Sequence, residues 1–255
     1  MTSISKISED SVFVVSGGAR GITAQCMIAM AKRYRCMFML LGRSSTWPTE
    51  PDWAQGSNDI SELKQRVAEH LKAQGEQPLP IYVQRMVDTL ISSREIQATL
   101  DAIRAAGGRA EYHSIDITDR TAMHETLAPK LHWLEPITGI IHGAGVLSDK
   151  LIDRKTIKDF EQVYSPKIDG LQNLLESIAP EQLQYIILFS SIAAMYGNVG
   201  QVDYALANAT LDKAAHELAF RYPRCRVITI NWGPWDSGMV SMDLKELFDE
   251  HDFKV

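Results

Sequence analysis

Short apolar runs that stop at glycine or another small residue recur along this chain, with helical stretches between them. Val12 to Val15 is the first and ends at Gly17-Gly18, and Met37 to Leu41 is the second, closed by Gly42-Arg43. Further runs lie at Ile137 to Ile141, Tyr185 to Phe189 and Val227 to Ile230, and the more polar Tyr112 to Ile115, ending at Asp116, would supply one more strand. Runs this short and this continuously apolar read as parallel strands buried on both faces. Thr23 to Tyr34, Ile157 to Ile178 and Val202 to Arg221 carry helical character. The alternation specifies an α/β fold, a doubly wound parallel sheet with helices on both faces. With 255 residues, 45% of them hydrophobic, the chain has the material for a full core without staples, and residues 1–255 read as one domain.

One stretch breaks the rhythm. Residues 44–90 are too many for a structureless loop in a compact domain. Ile60, Leu63, Val67 and Leu71 repeat at helical spacing, and Val83, Met86, Val87 and Leu90 lead into Ile96, Leu100 and Ile103 before Gly107-Gly108. This is a helical insertion after the second strand, readable as surface decoration or as a docking surface for a neighbouring domain. A net charge of −6 with no basic block argues against nucleic acid or an anionic membrane as the main partner. No apolar run reaches the length of a bilayer span. Cys26, Cys36 and Cys225 form no CxxC pair and no zinc-ligand spacing, so they read as free thiols in a reducing cytoplasm. The polar start, residues 1–10, lacks the apolar segment of a secretory signal.

Ser16 to Thr23 lies between the first strand and the first helix. Gly17, Gly18 and Gly21 permit positive φ and close approach of backbone to a phosphate, and the helix opening at Ile22 offers free N–H groups and a positive dipole end. In this position the loop points to a Rossmann-type dinucleotide site. The second strand ends not with the acidic residue that bonds an NAD ribose but with Arg43, which favours a 2′-phosphate; Arg20 is a second candidate for that charge. The cofactor expected is therefore NADPH. Asp116 and Ile117, after a further strand, are placed to meet the adenine, and Gly143, Ala144 and Gly145 let another strand end sit close to the cofactor. His142 reads equally as a hydrogen-bonded core histidine and as a cofactor neighbour, and no other ligand types cluster with it to hold a metal.

Ser191 ends the strand that begins at Tyr185. Tyr204 follows thirteen residues later at a helix start, Asn208 stands one turn beyond on the same face, and Lys167 lies in the preceding helix. Singly, such residues are turn or packing residues. Together, at the carboxyl ends of parallel strands, they match the needs of carbonyl reduction. Tyrosine gives a proton to the carbonyl oxygen, a nearby ammonium is expected to lower its pKa, serine holds the oxygen as charge develops, and asparagine orients a water or the lysine.

At these residues the chain resembles the short-chain dehydrogenase/reductase superfamily. It is most similar to the ketoreductase domains of polyketide and polyunsaturated-fatty-acid synthases, over about Ser11 to Val240. In that family the lysine precedes the serine by about 24 residues and asparagine follows tyrosine by four, as Lys167, Ser191, Tyr204 and Asn208 do. Stand-alone members put lysine four after tyrosine. Asn231 to Trp235 carries the same likeness. The resemblance implies a β-ketoacyl thioester held on an acyl carrier protein, neighbouring synthase domains as partners, and Pro234 and Tyr204 beside the cofactor. It also implies stereocontrol around Leu147, Asp149, Tyr196, Trp235 and Met239. The family's Leu-Asp-Asp fingerprint reads Leu147-Ser148-Asp149 here, and the tryptophan of the opposite type is Tyr196, which points to a D-configured alcohol. Three departures accompany the likeness. Thr23 replaces the last loop glycine, no structural subdomain precedes Met1, and the chain stops after a partial lid, 239–255. They imply a piece of a larger synthase. The alternatives are a stand-alone reductase of small ketones and a non-catalytic scaffold module.

Overall fold

In the first strand, β1 (Val12–Ser16), every residue is buried, and alternate side chains enter different cores. Phe13 and Val15 join one apolar cluster and Val14 the other, which requires a covering layer on each face. The structure, a computed structural model, describes residues 6–131, 136–178 and 180–233. The other strands are β2 (Met37–Gly42), β3 (Arg109–Ser114), β4 (Gly139–His142), β5 (Tyr185–Ser191) and β6 (Arg226–Trp232). They form one sheet in the order β3-β2-β1-β4-β5-β6, with every pairing parallel. In register, Val14 stands beside Met39 on one side and Ile140 on the other.

Helices α1 (Gly21–Tyr34) and α3 (Pro80–Ala105) cover one face. Met27 and Ala31 of α1 and Ile96 and Ile103 of α3 pack there on Phe13, Val15, Phe38 and Leu40. The opposite face packs Val14, Met39 and Leu41 under α4 (Arg120–Leu131), α5 (Ile157–Ser177) and α7 (Val202–Arg221). Thr156 and Asp159 cap α5 reciprocally. A four-residue turn of helix, α6 (Ala193–Tyr196), follows β5. Between β2 and β3, α2 (Ile60–Ala73) packs Leu63, Val67 and Leu71 against Val83, Val87 and Leu90 of α3, a small separate core. Helix α3 therefore serves two layers, its first half packing on α2 and its second half on the sheet.

Strand β3 and helix α4 differ most from the sequence expectation. Strand β3 begins at Arg109, three residues earlier than its apolar signal, because an edge strand paired only to β2 keeps an exposed, polar pattern. Helix α4, absent from the expected set, buries Met123 and Leu127 amid polar neighbours. Connections leave the sheet in opposite directions after β1 and β4, so a crevice opens beyond the carboxyl ends of the strands at that reversal.

Candidate active site

A cleft of about 1040 Å³ occupies this crevice. One wall is the loop after β1. Gly17 has φ +69°, and a Cβ there would stand 2.9 Å from the amide nitrogen of Ala144, so only glycine lets the two strand ends approach this closely. A Cβ at Gly18 would stand 2.5 Å from Val15 Cγ1. Thr23 fills the space of the missing loop glycine, and the compensation sits across from it. A Cβ at Gly143 would lie 2.5 Å from Thr23 Oγ1, so glycine at 143 accommodates threonine at 23. Helix α1 has no side-chain N-cap, and Gly21, Ile22 and Thr23 of its first turn line the cleft. Backbone glycines, uncapped amides and a helix dipole in one place fit the pyrophosphate of a dinucleotide.

Arg20, Arg43, Ala144, Gly145 and Leu147 also line the cleft. Arg43 is exposed at the end of β2. Arg20 is engaged by α3 and by Ser44: Nε pairs with Glu95 at 2.5 Å, and Nη1 donates to Ser92 Oγ at 2.8 Å and Ser44 Oγ at 3.3 Å. Asp116 and Ile117 do not line the cleft. The Asp116 carboxylate accepts from the amide and hydroxyl of Thr118, a local turn, and Ile117 is buried under α5 against Gly170. Tyr112 was legible only as part of a strand. Its hydroxyl donates to the carbonyl of Ser44 at 2.7 Å, which fixes the chain just after Arg43, and burial pushes its phenol up to about 12.

The opposite wall holds Lys167, Ser191 and Tyr204. Ser191 Oγ accepts from the amide of Ala193 at 3.2 Å, which leaves its O–H to donate. The Lys167 ammonium, 4% exposed, donates to the carbonyl of Phe189 at 2.9 Å and lies 5.8 Å from the Tyr204 ring centroid. Burial pushes this lysine down to about 8, partly offset by the Asp212 carboxylate. Tyr204 moves against the sequence expectation. Burial raises its pKa, hydrogen bonds with Ser191 and Asn208 pull it down, and the Asp149 charge raises it further, so the net direction is up. The phenol therefore keeps its proton, the form a proton donor needs.

His142 is fully buried between these walls. Nε2 lies 2.9 Å from the carbonyl oxygen of Lys167, which only accepts, so Nε2 carries the hydrogen and Nδ1 accepts from the Ser16 hydroxyl at 2.6 Å. Burial and the Lys167 charge hold its pKa down at about 3, so the ring is neutral. It is a core histidine that braces Lys167 against β1. Asn208 lies below the cleft rather than on its surface. Its Nδ2 donates to the carbonyl of Tyr204 at 2.8 Å, and its buried Oδ1 has no hydrogen-bond partner among the described residues.

Tyr196 is exposed on the cleft rim. Asp149 is drawn away from the lining, accepting from Gln201 Nε2 at 2.9 Å. Behind it, Lys155 and Asp203 form a buried ion pair of 2.6 Å, and Lys155 also donates to the carbonyl of Ser148 at 2.8 Å. Asp203 accepts from the Tyr204 amide at 2.9 Å. The pair thus ties the loop carrying Leu147 and Asp149 to the first turn of α7. Pro234, Trp235, Met239 and the segment 239–255 lie outside the described residues.

The family model of the KR domain matches residues 11–237. The chain is 38% identical over 252 residues to a polyunsaturated fatty acid synthase polypeptide of Thraustochytrium sp., covering 96% of this chain and 9% of that protein. It is 35% identical over 175 residues to the polyketide synthase PksN of Bacillus subtilis, covering 67% of this chain and 3% of that one. The chain therefore spans less than a tenth of either relative. Among solved structures it superposes on a ketoreductase domain from the bacillaene assembly line with a TM-score of 0.69 and 25% identity, covering 98% of this chain and 51% of that one.

Proposed function

The chain belongs to the KR domain family, and from that premise we propose that it reduces a β-ketoacyl thioester, carried by an acyl carrier protein, to the β-hydroxyacyl thioester with NADPH. The observation that carries the reading is the convergence of Tyr204, Ser191 and Lys167 on a cleft whose other wall is the Gly17–Gly21 loop. Arg43 at the end of β2 favours a 2′-phosphate over a bare ribose. A bound reduced nicotinamide supplies hydride to the carbonyl carbon. Ser191 donates its O–H to the carbonyl oxygen, in exchange for the hydrogen bond it shares with Tyr204, and stabilises charge developing there. Tyr204, held protonated by burial, delivers its proton to that oxygen. Lys167 presents its ammonium near the ring and favours the phenolate left behind. Asn208 grips the Tyr204 carbonyl, holding this turn of α7 in place, and turns an unfilled acceptor inward. The loop carrying Leu147, which Lys155 secures and which Asp149 anchors through Gln201, orients the substrate to give a D-configured alcohol.

The test is NADPH consumption with a β-ketobutyryl cysteamine thioester and, separately, an untethered ketone, with chiral analysis of the product. Turnover of the thioester to a D-β-hydroxy product is expected. Turnover confined to the free ketone overturns the substrate reading, and an L-alcohol overturns the stereochemical one.

A further inference from the structure

Arg20 is the loop arginine from which a phosphate contact is expected, yet its charge is already matched by Glu95. A phosphomonoester carries about −1.5 to −2 at neutral pH and needs cations that are not so matched. Next to the main cleft a second one of about 560 Å³ opens, and the two share Arg43 and Ser44. Its far wall is the first half of α3, including Arg85 and Ser92. The side chains of Arg43 and Arg85 make no ion pair among the described residues. Asp88 is the carboxylate in the same wall, and its Oδ1 accepts from Gln84 at 2.7 Å, so the two arginines leave this cleft positive.

The polarity of the hydroxyls points the same way. Ser44 and Ser92 both accept from Arg20 Nη1 through Oγ, at 3.3 and 2.8 Å. Each O–H is therefore left to donate, and two donors beside two cations make an anion seat. We propose that the adenosine 2′-phosphate of the cofactor sits in this second cleft between Arg43 and Arg85, with Ser44 and Ser92 as hydroxyl donors. Arg20, locked by Glu95, is a positioning residue that turns those hydroxyls outward. The insertion helix thereby becomes part of cofactor selection. This rests on the reading of the chain as an NADPH enzyme.

Calorimetric titration of the protein with 2′,5′-ADP and with 5′-AMP separates the two ideas, since neither ligand needs turnover. Wild type is expected to prefer 2′,5′-ADP, and so to lose that preference in Arg43→Ala. Arg85→Ala, an exposed helix position, is expected to weaken 2′,5′-ADP roughly tenfold or more, the scale of one charge-assisted hydrogen bond, and to leave 5′-AMP unchanged. Arg85→Lys keeps the charge and recovers part of the loss. Equal affinity of wild type for the two ligands sinks the NADPH reading itself. A wild-type preference that Arg85→Ala leaves intact, or a loss shared equally by 5′-AMP, overturns the assignment to the insertion alone.

Discussion

Replacing Lys167 by methionine is expected to make the fold more stable at neutral pH while removing activity. The ammonium is buried, and holding it charged there costs about 3 kcal/mol, the equivalent of moving its pKa from 10.5 to about 8. Methionine fills similar volume without that cost but loses the donor to the Phe189 carbonyl, roughly 1 kcal/mol. The variant should thus gain about 2 kcal/mol at pH 7. That advantage fades as pH rises. Above about 8 the folded lysine sheds its proton, while the unfolded chain keeps it to about 10.4, so wild-type stability climbs with pH across that window. Urea unfolding of both proteins at pH 7 and pH 10 reads this directly. Wild type should gain roughly 2 to 3 kcal/mol on the variant between the two. A difference that stays flat refutes the desolvated placement of Lys167. The same titration predicts that wild-type turnover falls as pH rises through about 8.

Other perturbations follow from the same geometry. Lys155→Met leaves the Asp203 charge buried and unpaired, which should cost about 3 to 5 kcal/mol in urea unfolding, with much of it recovered in Lys155→Met/Asp203→Asn. Gly17→Ala forces a side chain into positive φ and within 2.9 Å of the Ala144 nitrogen. It should lower the melting temperature by a strain of roughly 1 to 2 kcal/mol and weaken nucleotide binding in a fluorescence titration.

The central strands were legible because both their faces are buried. Val12 to Val15 and Met37 to Leu41 need no alternation to be recognised, and the break before Val202 and after Arg221 bounded α7 at its observed ends. Polar edges hid the rest. Strand β3 reads RAEYHS, its residues exposed or partly buried with none fully buried, and α4 shows few apolar side chains to a periodicity argument. At the site, residue types at helical or strand-end spacing disclosed Ser191, Tyr204, Asn208 and Lys167. Their supports were not disclosed, because the partners are far apart in the chain. Lys155 meets Asp203 across 48 positions, Gln201 meets Asp149 across 52, and Arg20 meets Ser92 across 72. The direction of the Tyr204 pKa differs from the sequence expectation for a related reason. The neighbouring ammonium is visible in the pattern, whereas the burial that raises the phenol is not.

The most direct test of the account is the Tyr204→Phe variant, assayed for reduction of a β-ketoacyl cysteamine thioester while its NADPH affinity is measured in parallel. Loss of the proton donor should lower turnover by roughly 10² to 10⁴ and leave NADPH affinity near the wild-type value. Turnover equal to wild type would contradict the assignment of proton delivery to Tyr204.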